Sequence, residues 1–259
     1  MNRLNHLFNT KKENILNVYF TAGFPELNST VQIIELLSRH GADIIEIGIP
    51  FSDPVADGPT IQASNKRALD NGMSLNLLFD QLKDIRKITQ IPLVLMGYLN
   101  PVVRMGVEKF CEKCKEVGID GLILPDLPVK EYRDHYQETF KKFGLSNVFF
   151  ITPQTSEERI RAMDEATDTF LYMVSSPGIT GAKSYIAESQ IDYFTRIQAM
   201  QLKNPALIGF GISDNNTFMQ ASKFSSGAII GSAFINALAQ DEKLENSIPL
   251  FLNSILKKS

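Results

Sequence analysis

Short apolar and β-branched segments alternate along the chain with amphipathic helical patterns. This alternation is typical of βα units that build a parallel sheet. We predict strands at residues 17–21, 44–48, 93–96, 121–124, 148–151, 169–174, 206–209 and 228–231. Helical patterns cover residues 29–39, 75–88, 107–117, 129–143, 156–166, 191–200, 215–224 and 244–256.

Eight βα units in a chain of 259 residues fit a closed (β/α)8 TIM barrel better than an open doubly wound sheet. No Gly-x-Gly-x-x-Gly motif opens the first unit, which disfavours a dinucleotide-binding fold. We expect residues 1–259 to form one α/β barrel domain, with an extra N-terminal helix over residues 2–8. Long loops after strands 2 and 6, at residues 50–73 and 175–189, should cover the site.

Composition excludes several classes of function. The net charge is −3 and lysine and arginine occur only in short clusters, which disfavours nucleic-acid binding. The N-terminus has no apolar signal-peptide core and no apolar segment could span a bilayer, so we predict a cytoplasmic protein. Cys111 and Cys114 lie on a predicted helix, and we interpret them as ordinary thiols.

A carboxylate interrupts the second predicted strand. Side chains alternate along a strand, so Glu46 shares its face with Ile44 and Gly48. Burial of an unpaired carboxylate costs several kcal/mol, so a functional role is favoured. Asp57 follows in the next loop, and we predict that both acids face one cavity. The alternative is that Glu46 is a structural acid, hydrogen-bonded to Tyr98 or Tyr172.

The residues at the predicted strand ends narrow the chemistry. A Schiff-base aldolase needs a strand-end lysine, but the sixth strand has none and Lys183 lies beyond it in the loop. The histidines His6, His40 and His135 fall in predicted helices, away from a strand-end metal site. Of the catalytic mechanisms considered, metal-free acid–base catalysis by carboxylates is the one that these residues favour.

Glycine-rich turns follow the last two predicted strands. They are GFGIS at residues 209–213 and GSA at residues 231–233. Barrels often bind phosphate between these two loops through backbone N–H groups, although such glycines also occur in plain turns. The sequence GITG at residues 178–181 could fold over the same ligand.

These motifs resemble those of the tryptophan synthase alpha chain family. The most specific match is EIGIPFSDPVADGPTIQ at residues 46–62. Further matches are LMGYLNP at 95–101, PDLP at 125–128, and the three glycine motifs at 178–181, 209–213 and 231–233. The matches span almost the whole chain in the family's order.

The resemblance implies a lyase that cleaves indole-3-glycerol phosphate to indole and glyceraldehyde 3-phosphate by a retro-aldol step in tryptophan biosynthesis. No cofactor is expected in this chain. The expected partner is a tryptophan synthase beta chain, which carries pyridoxal phosphate, in an alpha2beta2 heterotetramer.

The resemblance also implies roles for individual residues. Glu46 is the acid–base group, and Asp57 stabilises positive charge at the indole N–H. Whether Tyr19 touches the indole stays open. The other expected site residues are, for substrate, Tyr98, Tyr172, Thr180, Phe210 and Ile229; for phosphate, Gly181, Gly211, Gly231 and Ser232; and for the partner, Asp53, Pro54, Asn100 and Pro101.

Two other functions remain as alternatives. One is a different phosphate-binding barrel, such as an isomerase or a cyclising indole-glycerol phosphate synthase. That enzyme should carry a strand-end lysine or a Cys/Asp pair, which this sequence lacks. The other is a non-catalytic subunit that binds a phosphorylated ligand and regulates its partner.

Overall fold

A closed parallel barrel forms the centre of the computed structural model, which describes residues 2–174, 188–209, 211–240 and 243–257. Each strand pairs with the next along the chain, and the first pairs with the last, which closes the barrel. The predicted (β/α)8 barrel is therefore confirmed. The strands are β1 (Ile15–Thr21), β2 (Ile44–Gly48), β3 (Leu93–Met96), β4 (Gly121–Ile123), β5 (Ser146–Ile151), β6 (Leu171–Val174), β7 (Ala206–Gly209) and β8 (Gly227–Ile230).

Helices surround the barrel and follow the predicted pattern in most units. They are α1 (Arg3–Thr10), α2 (Ser29–His40), α3 (Pro59–Asp70), α4 (Leu75–Leu82), α5 (Leu99–Met105), α6 (Val107–Val117), α7 (Val129–Glu131), α8 (Gln137–Phe143), α9 (Glu157–Ala166), α10 (Glu188–Ala199), α11 (Asn215–Ser222), α12 (Ser232–Leu238) and α13 (Leu244–Leu256).

Some helical segments differ from the predictions. The helices α3, α5 and α12 were not among the predicted helices, and α3 occupies half of the long segment after β2 that we expected to be loop. The helix predicted at residues 75–88 ends at Leu82 and is followed by a 3₁₀ turn at Ile85–Lys87. Residues 129–143 are helical, as predicted, but a π turn at Tyr132–Tyr136 lies between two α-helical segments.

Alternation along the strands creates two apolar layers. On β2, Ile45 and Ile47 belong to the large layer under the helices, whereas Ile44 belongs to a smaller cluster inside the barrel. Glu46 shares the interior face with Ile44, as predicted, and is completely buried.

The N-terminal helix α1 closes the bottom of the barrel, at the amino ends of the strands. Leu4 and Phe8 join the interior cluster, and the Phe8 ring lies 5.4 Å from the ring of Phe170. Arg3 contacts Asp120 through its guanidinium at 3.1 Å, just before β4. The extra helix predicted across the barrel floor is therefore confirmed.

The two cysteines lie buried on α6 as free thiols, in agreement with their interpretation. Burial raises the pKa of Cys111 to about 12. Within the described ranges, no helix has the length and apolar character that crossing a bilayer requires.

Candidate active site

Glu46 lies at the centre of the site, on β2 inside the barrel. The amide Nδ2 of Asn17, on β1, donates a hydrogen bond to Glu46 Oε1. The second carboxyl oxygen, Oε2, is buried and has no hydrogen-bond partner among the described residues. Burial raises the Glu46 pKa to about 8, and the hydrogen bond from Asn17 opposes that rise. The acid is therefore mainly protonated at neutral pH.

The hydrogen-bond partner of Glu46 differs from the tyrosines expected if Glu46 were a structural acid. We expected a structural glutamate to pair with Tyr98 or Tyr172, but the hydrogen-bond donor is Asn17. Tyr98 lies instead against the loop that follows β2. Asparagine is common in folded chains, so nothing in the sequence marked Asn17 as a neighbour of Glu46.

Two buried tyrosines lie within electrostatic reach of both Glu46 and Asp57. Tyr19 pairs in register with Glu46, and Tyr172 comes from β6 on the barrel interior. Burial raises the pKa of both phenols, and the charges of Glu46 and Asp57 raise it further. The charges of both acids therefore reach the same two rings.

Two glycines allow these rings to pack inside the barrel. A Cβ atom on Gly48 would lie 2.3 Å from the Tyr19 hydroxyl oxygen. A Cβ atom on Gly209 would lie 2.4 Å from the Tyr172 hydroxyl oxygen. Any larger residue would displace the rings, so both positions help to shape the site. The sequence signal for them was a glycine at the end of an otherwise apolar strand.

Asp57 is held by Tyr98, which follows β3. The Tyr98 hydroxyl accepts a hydrogen bond from the Ala56 backbone at 2.9 Å and donates one to Asp57 Oδ2 at 3.3 Å. The Phe51 ring stacks on Tyr98 with centroids 5.0 Å apart. Burial raises the Asp57 pKa to about 6, and the Tyr98 hydrogen bond opposes this rise.

The helix α3 fixes the start of the same loop. Asn65 accepts a hydrogen bond from the Phe51 backbone N–H at 3.0 Å. Ser64 contacts the Thr21 hydroxyl, at the end of β1, at 2.7 Å. The segment expected to be a long loop over the site is therefore partly a helix docked on the barrel mouth.

The predicted phosphate residues that are described lie at the carboxyl ends of β7 and β8. Gly211 has a φ of +79°, a left-handed conformation that favours glycine. Gly231 immediately precedes α12, whose first residue is Ser232. Ile229 lies on β8 and faces the barrel interior. Because the strands are parallel, these residues and the loop carrying Asp57 share one end of the barrel.

Three predicted site residues cannot be compared with the structure. Thr180 and Gly181, in the loop after β6, and Phe210, after β7, lie outside the described residues.

Comparison with known proteins agrees with this geometry. The family model described as "Tryptophan synthase alpha chain" matches residues 6–253. The chain belongs to the tryptophan synthase alpha chain family. A relative of that name from Flavobacterium psychrophilum is 56% identical over 255 residues, covering 98% of this chain and 100% of the relative. One from Flavobacterium johnsoniae is 57% identical over 240 residues, covering 93% and 94%.

Solved structures show the same likeness. Tryptophan synthase subunit alpha from Legionella pneumophila superposes with a TM-score of 0.89 at 32% identity, covering 99% of this chain and 98% of that one. A chain of the tryptophan synthase complex from Pyrococcus furiosus gives a TM-score of 0.86 at 34% identity, covering 96% and 100%.

The residues expected to meet the family's beta chain lie close together beside the mouth. Asp53, Asn100 and Pro101 line one surface pocket of about 340 Å³. Pro54 follows Asp53 in the loop and is half-buried. Val55 is 87% exposed and Val103, on α5, is 51% exposed. This face therefore presents apolar side chains to solvent beside the pocket.

Proposed function

We propose that the chain is the alpha subunit of a tryptophan synthase and cleaves indole-3-glycerol phosphate to indole and glyceraldehyde 3-phosphate. The observation that carries the proposal is the buried carboxyl of Glu46. Its pKa of about 8 keeps it protonated at neutral pH, and its Oε2 has no partner among the described residues. A general acid needs both properties.

The reaction begins with proton transfer from Glu46 to carbon 3 of the indole. The ring then carries a positive charge on its nitrogen, and the Asp57 carboxylate stabilises that charge through the N–H group. Asp57 suits this role because its pKa of about 6 leaves it mainly ionised at neutral pH.

Bond cleavage follows from the protonated ring. The Glu46 carboxylate accepts the proton of the glycerol hydroxyl next to the ring, and the hydroxyl becomes the aldehyde carbonyl. The electron pair of the carbon–carbon bond returns to the ring, which leaves as indole. Glu46 ends the cycle protonated, so this chain's own residues complete the step.

Substrate position follows from the remaining residues. The phosphate lies against the backbone N–H groups near Gly211, Gly231 and Ser232, with Gly181 from the loop after β6. Phe210 and Ile229 flank the indole, Tyr98 and Tyr172 form the wall of the site, and Thr180 holds Asp57. Tyr19 lies beside Glu46, in register on the neighbouring strand β1.

Indole release from indole-3-glycerol phosphate by the purified chain tests this function. Glu46→Gln keeps the shape of the side chain but has no acidic proton. We expect it to lower the rate at least about a thousandfold, while binding of glycerol 3-phosphate, measured by calorimetry, changes little. Turnover close to that of the unaltered chain in Glu46→Gln would refute the assignment. Absence of indole from the unaltered chain would favour a non-catalytic regulatory subunit.

The proposal includes a partner. The face formed by Asp53, Pro54, Asn100 and Pro101 is where we place a beta chain, in an alpha2beta2 assembly in the cytoplasm, with pyridoxal phosphate only in the beta chain. The Pyrococcus furiosus relative comes from a tryptophan synthase complex, and Val55 and Val103 provide exposed apolar contacts here. Sedimentation of this chain with a beta chain, compared with Val103→Glu, tests the face.

A further inference from the structure

A buried asparagine lies directly below the proposed catalytic acid. Asn17 pairs in register with Ile44, whereas Glu46 pairs with Tyr19, so Asn17 lies one layer deeper in the barrel interior. Its side chain is completely buried and its Nδ2 donates to Glu46 Oε1. A residue in this position supports Glu46 from below and lies farther than Glu46 from the mouth, where substrate would enter.

We propose that Asn17 is a positioning residue that determines which oxygen of Glu46 carries the transferable proton. Because an amide N–H can only donate, Glu46 Oε1 must act as the acceptor. The proton of the neutral acid then lies on Oε2, the oxygen with no partner among the described residues. This inference rests on the proposed function, because it concerns the proton that Glu46 would give to substrate.

The chemistry explains why an asparagine suits this position. A lysine or arginine would hold Glu46 in its charged form and remove the acid. A second carboxylate would share the proton with Glu46. An apolar residue would leave both oxygens equivalent and the charged form without a donor. A neutral donor orients the carboxyl while leaving it able to give and regain its proton.

Other titratable groups surround Glu46 and must stay unchanged in a test. Tyr19 approaches from β1 and Tyr172 from β6, and both interact electrostatically with Glu46. Asp57 lies on the loop after β2 and interacts with the same two tyrosines. Asn17→Leu changes the hydrogen bond to Glu46 without altering any of these groups.

The test uses Asn17→Leu, which has nearly the same shape but no donor, and Asn17→Asp, which replaces the amide with an acid. Infrared spectroscopy of the full chain follows the carbonyl stretch of protonated Glu46, identified by its loss in Glu46→Gln. We expect the Glu46 pKa to rise by about 1 in Asn17→Leu, because a hydrogen bond to the charged form is lost. In Asn17→Asp the two carboxyls share the proton, so the single Glu46 titration should become two steps.

Kinetics provide a second readout. In Asn17→Leu we expect kcat to fall about tenfold at neutral pH, while KM stays within about twofold, because the acid and not the binding surface is misplaced. The high-pH limb of the rate profile should move upward with the Glu46 pKa. A residue that only maintained the fold would not shift that limb.

Asn147→Leu is the matched control. Asn147 is also a buried strand asparagine, on β5, but it lies on the same strand face as Phe149, in the layer under the helices. Its side-chain atoms have no hydrogen-bond partner among the described residues. We expect the Glu46 pKa and kcat to be unchanged in this variant.

The outcomes separate this inference from the proposed function. An unchanged Glu46 pKa in folded Asn17→Leu overturns the positioning role, whatever the activity. If the unaltered chain releases no indole while Asn17→Leu shifts the Glu46 pKa, the proposed function is refuted and the hydrogen-bond role stays intact. If Asn17→Leu does not fold, Asn17→Asp keeps the shape of the side chain, and a Glu46 titration left as a single step in that variant overturns the inference.

Discussion

The floor and the interior of the barrel each bury a carboxylate, but the two acids have different surroundings. Asp120 at the floor accepts hydrogen bonds on both oxygens, from Arg86 at 2.7 Å, from Arg3 at 3.1 Å and from the Leu93 backbone at 3.0 Å. Among the described residues, Glu46 accepts one hydrogen bond, from a neutral amide. Burial alone therefore does not identify a reactive acid. The number and charge of its donors distinguish a structural acid from one able to exchange a proton.

Removing the acid at the floor should have the largest effect on stability. Asp120→Ala leaves the half-buried Arg86 without its carboxylate, so we expect the free energy of unfolding to fall by about 3–5 kcal/mol. Urea unfolding followed by circular dichroism measures this change. The matched variant Glu46→Gln should be as stable as the unaltered chain, or more stable, at pH 8. Equal destabilisation by the two substitutions would remove the distinction between the acids.

The pH dependence of stability sharpens the same comparison. The Glu46 pKa is about 8 in the folded chain and 4.5 ordinarily, so the folded state keeps a proton that the unfolded state has released. Stability from this group is therefore complete below pH 4.5 and is lost as pH rises towards 8. We expect a loss of about 1.4 kcal/mol per pH unit within that window. Urea titrations of the unaltered chain and Glu46→Gln should differ by this slope, and parallel curves would contradict the raised pKa.

Packing around the interior tyrosines should affect activity more than folding. In Gly209→Ala, the new methyl group would overlap the Tyr172 ring, so the ring must move from its place near Glu46. We expect the rate of indole release to fall about tenfold, equivalent to about 1.4 kcal/mol. In the control Gly58→Ala, the methyl group meets no atom within 4 Å. Similar rate losses in both variants would show that the Tyr172 contact is not the cause.

The smallest effect should come from the mouth, where Asp57 depends on one neutral hydroxyl. Tyr98→Phe removes a hydrogen bond that lowers the Asp57 pKa, so the pKa should rise above about 6. The low-pH limb of the rate profile should then move to higher pH, and the rate at pH 7 should fall about threefold. Steady-state rates between pH 5 and 9 measure the shift. An unchanged low-pH limb would show that this limb does not report Asp57.

Much of the architecture could be predicted because hydrophobic periodicity reflects burial directly. The eight strands and the interior position of Glu46 follow from apolar segments and alternation. The missed helix α3 had a signal, because Pro59 is its first residue and proline favours that position. The other glycine and proline residues nearby suggested a loop instead.

The partners of the site could not be predicted in the same way. Asn17 reaches Glu46 from a neighbouring strand, 29 positions away in the chain. Such a contact depends on strand register, which spacing within one strand does not reveal. Tyr98 was expected at the site wall, but its role in holding Asp57 depends on a loop conformation that sequence patterns do not specify.

The seal formed by α1 has a consequence for biosynthesis. Asn2 bonds to Ser146, 144 residues later, and Phe8 packs on Phe170. During synthesis on the ribosome, α1 emerges long before the strands that carry Ser146 and Phe170. Its apolar side chains therefore stay unburied until those strands have been made. We infer that α1 packs onto the barrel floor only after most of the barrel has emerged from the ribosome.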